Sequence, residues 1–147
     1  MNIDFRLKAK EQVISGLVME LVPGPLSEPE SRKESIFLDE DAFGFLEPCV
    51  VVAWPGYAKY GHWGDTEIPV EVWGDIITLL SELHGSLERS SAPEEVKGLG
   101  FIFDDVEKYF IENFSNLRSK ILIFIDELIC WLKSKIVRCQ YISIIGV

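Results

Sequence analysis

Nothing in this chain of 147 residues carries the signature of a cofactor or a catalytic centre. It has no GxSxG elbow, no P-loop and no HExxH pair, and Gly98-Leu99-Gly100 does not open a dinucleotide fingerprint. Histidine is scarce: His62 and His84 are the full set, which leaves metal binding and general-base chemistry little to draw on. Cysteine is scarce too. Cys49, Cys130 and Cys139 are odd in number and form no CxxC pair. Cys49 and Cys130 lie in apolar runs, where a free thiol behaves as a small hydrophobe. This usage fits a reducing cytoplasm rather than a secreted disulfide scaffold. A long apolar stretch is also missing. Ile121 to Leu132 is greasy but interrupted by Asp126 and Glu127, and it is shorter than the roughly 18–20 residues that span a bilayer. The N-terminus alternates charged and apolar residues with no continuous apolar core, so no signal peptide and no membrane partner are expected.

Positive charge is in deficit, with 14 basic against 24 acidic residues and a net charge of −10. Residues 28–47 hold seven acids against Arg32 and Lys33, residues 65–82 hold five acids and no base, and residues 94–112 hold six acids against Lys97 and Lys108. Residues 1–10 and 113–147 are net basic. An acidic middle disfavours nucleic acid, whose binding needs cations to replace phosphate counterions. It suits a basic protein partner, or solubility alone. Apolar residues make up 48% and charged residues 26%, a globular balance that argues against disorder and for one domain over 1–147.

Asn2 to Lys8 alternates, with Ile3, Phe5 and Leu7 on one face, and predicts a half-buried strand. Gly16–Val22 and Ser35–Asp39 predict further strands on either side of a loop at 23–34. Cys49 to Trp54 is continuous, apolar and β-branched between Pro48 and Pro55, and it predicts a central strand. Pro69–His84 predicts a helix ended by Gly85, with Trp73, Ile76, Ile77, Leu80, Leu83 and His84 on its inner face. A loop should follow over 85–100. Asp104-x-x-Glu107 has capping-box spacing and should open a helix, and Ser115 should cap another running to Ile136. The wide apolar stripe of 117–136 implies burial on more than one side or a homodimer face. Val137–Val147 is β-prone and could pair as a last strand. The sum is an α+β fold: a small, mostly antiparallel sheet from the N-terminal half, packed against about three helices.

One segment stands out. Residues 54–64 hold two of the four tryptophans, two of the four tyrosines and one histidine, with three glycines and a proline that favour a loop. Aromatics on such a loop either plug the core or meet a partner. Trp54 continues the apolar run and reads as core. Tyr57, Lys59, Tyr60, His62 and Trp63 form the candidate contact surface, with Tyr57, Tyr60 and His62 expected to be exposed. Asp65, Glu67, Glu71, Asp75 and Glu82 follow as an acidic stripe. A solvated helix face accounts for such a stripe as well as docking of a Lys/Arg-rich partner does. His62 with Asp65 could form an acid–base or metal pair, yet a nucleophile or third ligand is missing and His84 is expected in the core. No catalytic, cofactor or metal residue is therefore assigned, although a small enzyme built on His62 and Asp65 remains an alternative. The clusters Asp39-Glu40-Asp41 and Asp104-Asp105 are explained by capping and solvation.

In size, acidity, unpaired cysteines and aromatic-plus-acidic surface, the chain resembles the immunity proteins of bacterial contact-dependent inhibition and polymorphic-toxin systems. The resemblance implies a cytoplasmic, non-enzymatic inhibitor of a cognate toxin, often a basic nuclease. It also implies that the aromatic loop anchors the partner and the acidic stripe guides it.

Overall fold

A computed structural model describes residues 1–13, 16–57 and 61–147. Four strands, β1 (Val18–Val22), β2 (Ile36–Asp39), β3 (Asp65–Pro69) and β4 (Tyr141–Ile145), form one antiparallel sheet in the order β2-β1-β4-β3. The fold is α+β. The register places Met19, Leu21, Leu38, Ile68, Ile142 and Ile144 on one face, and all six are fully buried. The opposite face carries Glu20, Glu67 and Ser143 and is covered by the segment after β1. That segment contains a 3-10 turn at Pro29–Glu34. Arg32 grips the buried Glu20 with two hydrogen bonds of 2.6 and 3.0 Å, and Ser143 Oγ donates to Gly24 O at 2.8 Å.

Among the described residues five helices complete the fold: α1 (Glu40–Gly44), α2 (Glu47–Ala53), α3 (Val70–Arg89), α4 (Asp104–Glu112) and α5 (Phe114–Ile136). Helices α3 and α5 pack on each other and on the sheet. Trp73 of α3 donates its indole N–H to Ile142 O at 3.0 Å, which fixes the helix against the central strand. An aromatic cluster of Phe5, Phe45, Phe101, Phe110, Phe114 and Phe124 closes the core beside α4 and α5.

Several expectations need correction. Cys49–Trp54 is not a strand; most of it forms α2, which buries Cys49 and Val50 and leaves Val52 68% exposed. Two signals override its β-branched propensity. Pro48 suits a first helical turn, and β4 already holds the sheet centre between β1 and β3. The sheet accordingly does not come from the N-terminal half alone. Asn2–Lys8 makes no ladder beyond a bridge from Lys8 to Phe37. Its alternation is used for packing instead, with Ile3 buried and Phe5 5.8 Å from Phe124. Helix α3 runs on through Gly85 to Arg89. Asp104 is the first residue of α4 rather than its cap, and α5 begins at Phe114, ahead of Ser115. Cys130 is exposed on α5. His84 is half-buried rather than in the core, and its Nε2 faces Asp126 of α5 at 3.1 Å.

Candidate functional site

The short helices α1 and α2 each begin with a glutamate, and both glutamates point inward. Asp39 starts the first helix as expected of a cap, its Oδ1 accepting from the amides of Asp41 (2.9 Å) and Ala42 (3.2 Å). Glu40 and Glu47 then close on His62 from opposite sides. Nε2 lies 2.9 Å from Glu40 Oε1, and Nδ1 lies 2.7 Å from Glu47 Oε1. The second oxygen of Glu47 accepts from the Tyr57 hydroxyl. His62 is 5% exposed and Tyr57 1% exposed, while both glutamates are buried.

A ring with a carboxylate on each nitrogen carries both protons, since either lone pair would otherwise face an anion. Burial works against that charge, but the hydrogen bonds and charges of Glu47 and Glu40 outweigh it, and the His62 pKa rises from its ordinary 6.5. Burial, then the Glu47 charge, pushes the Tyr57 phenol far above its usual range. Burial also raises Asp41, helped by Asp39, Glu40 and Asp105. With a proton on each nitrogen, the His62 ring has no lone pair free to act as a base. The two glutamates sit at opposite edges of the ring and do not converge on one ion, and among the described residues no three His, Cys, Asp or Glu are placed to hold a metal. The arrangement works as a clamp that ties the segment after α2 to α1 and α2.

This geometry inverts the expected exposure of the aromatic segment. Tyr57 and His62 are inside, and Trp63 is outside at 67% exposure. Trp63 meets the His62 ring edge-to-face at 5.1 Å, so the buried imidazole supports it from below. The end of β4 adds a second tie, with Gly146 N donating to Gly64 O at 2.9 Å and Val147 N to His62 O at 2.8 Å. A Cβ at Gly146 would collide with the carbonyls of His62 and Gly64, so glycine is what lets the two strands approach. Trp54, expected in the core, is half-buried and packs against its edge. Lys59 and Tyr60 lie outside the described residues.

The alternative His62–Asp65 pair does not form: both His62 nitrogens are taken, and Asp65 is exposed at the start of β3. Glu71, Asp75 and Glu82 are exposed on α3. Glu67 is not part of that helix; it sits on β3 and accepts from Leu26 N at 2.9 Å. Among the described residues, no Lys, Arg or His lies within ion-pair distance of Asp65, Glu71, Asp75 or Glu82. Sequence reasoning missed Glu40 and Glu47. A signal existed at Glu47, an isolated acid between Leu46 and Pro48-Cys49-Val50, because an acid in an apolar run needs a buried partner.

The chain matches no protein-family model, and no curated protein or solved structure compared with it is significantly similar. No described helix is long and apolar enough to cross a membrane.

Proposed function

We propose that this chain is an interaction protein of the immunity type, an acidic domain that binds a basic protein, a cognate toxin, and neutralises it in the cytoplasm of the producing cell. The reading rests above all on Trp63. A tryptophan two-thirds exposed, yet held by a buried ion-pair cluster below and by the β4 tail beside it, loses little entropy when a partner covers it. Asp65, Glu71, Asp75 and Glu82 supply negative charge with no ion-pair partner among the described residues, on β3 and α3, the two elements that follow it in the chain. Charge of this kind accelerates encounter with a Lys/Arg-rich surface and loses its effect in salt. An enzyme built on His62 draws no support from a ring whose nitrogens are both engaged. A homodimer through 117–136 draws little, since Ile123 is the only large apolar side chain well exposed along that helix and it lies between Lys120 and Glu127.

The test is affinity capture from a lysate of the source cell, with the full chain as bait. The wild type should retain one basic protein that is toxic when expressed alone. The variant Glu71→Gln, Asp75→Asn, Glu82→Gln should bind it with an association rate about tenfold lower at low salt and little changed at high salt. An association rate indifferent to both the charges and the salt would refute the electrostatic role.

A further inference from the structure

Between α2 and α3 lies an open groove of about 540 Å³, separate from the Trp63 surface. Its floor is apolar: Pro48, Cys49 and Val52 from α2 face Leu79 and Leu83 from α3. Cys49 belongs to that floor as a neutral thiol, because burial and the nearby Glu82 charge push its pKa up to about 11. Val52 is 68% exposed although it sits on a helix one turn from the buried Cys49, so the groove leaves a large apolar side chain uncovered. The two ends differ in charge. Glu82 lies on the groove wall, and at 100° per residue Asp75 and Glu71 continue its stripe along α3. Two turns further along the same helix Arg89 lines the groove, joined by Lys97 from the segment that follows α3. A further acid on the rim, Glu95, accepts from Ser91 N at 3.3 Å and offsets part of the positive charge of Arg89 and Lys97.

We infer that this groove receives an amphipathic helix of the basic partner. Its apolar face seats on Val52 and Leu79, and its Lys or Arg residues lie against Glu82 and Asp75. The inference rests on the reading of the chain as a binder of basic proteins, and it adds where and in which direction the partner docks. An apolar floor alone would accept any greasy segment. The acidic stripe along one wall selects a cationic one, and Arg89 with Lys97 repels the same cations from the far end and so sets the polarity of the bound helix. Helix α2 couples the two surfaces, because Glu47 at its start holds His62 while Val52 near its end lines the groove.

A suitable probe is a synthetic helical peptide of about 16 residues with leucines on one face and lysines on the other, added to the full-length protein with labelled methyl groups. The expected result is a set of shifts centred on the methyls of Val52, Leu79 and Leu83. Val52→Asp, which alters an exposed position, should weaken binding about tenfold, as should Glu82→Lys, whereas Ile123→Ser on the outer face of α5 should not. The same peptide with glutamates in place of lysines should not bind. Shifts gathered at Trp63 and Asp65 instead would overturn the groove and leave the basic-partner reading standing. No shifts anywhere up to about 1 mM peptide would overturn the groove and count against that reading as well.

Discussion

Replacing His62 with alanine should destabilise the fold by about 3–5 kcal/mol, the range for removing one member of a buried ion cluster. The loss is large because of what stays behind. Glu40 and Glu47 would be left buried with no cation between them. Urea unfolding of the two proteins measures the difference, and a drop in melting temperature on the order of 10 °C should accompany it. The same cluster fixes the pH dependence. The folded ring binds its proton more tightly than the unfolded ring, whose pKa is 6.5, so the folded state carries the extra proton between 6.5 and the folded value. The His62 contribution is therefore complete below pH 6.5 and is lost as pH rises through the folded value. Tyr57 acts in the same direction higher up: above pH 10.0 the unfolded phenol ionises while the folded one resists. Asp39 and Asp41 are also raised, but from 3.8, so their share begins to be lost as pH rises above 3.8. In His62→Ala the decline in stability just above pH 6.5 should disappear. A wild-type stability that is flat from pH 6 to 9 would refute the charged-imidazole assignment.

Trp63→Ala should leave the fold intact and weaken partner binding by about 2–3 kcal/mol, or roughly 30- to 150-fold. Covering an indole that is now two-thirds exposed removes on the order of 100–150 Å² of apolar surface from water, and at about 25 cal/mol per Å² that is roughly 3 kcal/mol. The His62 support keeps the ring in place beforehand, so little of this gain is lost to ordering. The effect should appear in the dissociation rate, in contrast to the α3 charges, which act on association. Binding within about threefold of wild type would remove Trp63 from the interface.

The three long helices were legible in the sequence because their periodicity is long and regular, whereas α1 and α2 were not. Trp73, Ile76, Ile77, Leu80 and Leu83 recur at helical spacing, and all are buried where that spacing puts them. β1 and β2 were legible from their bounding turns. The Cys49–Trp54 run misled because a short β-branched stretch reads alike in a strand and in a buried helix, and here the tertiary place of β4 decided. The site was legible in outline only. The acidic residues of α3 are exposed as their spacing implied, and so is Trp63, but Tyr57 and His62 of the aromatic segment, expected outside, are buried. What decides its orientation is the meeting of His62 with Glu40 and Glu47, residues 22 and 15 positions away in the chain. No local pattern encodes that meeting. Glycines around an aromatic favour a loop without saying which ring faces water.

We propose, centrally, that the surface built on Trp63 and the α3 carboxylates neutralises a basic toxic partner. Growth of cells expressing that partner measures it most directly, with the partner alone, with the wild-type chain, and with a chain carrying Trp63→Ala, Glu71→Gln, Asp75→Asn and Glu82→Gln. Full growth with the wild type and arrest with the variant, at equal levels of folded protein, is the expected result. Equal rescue by both chains would contradict the claim.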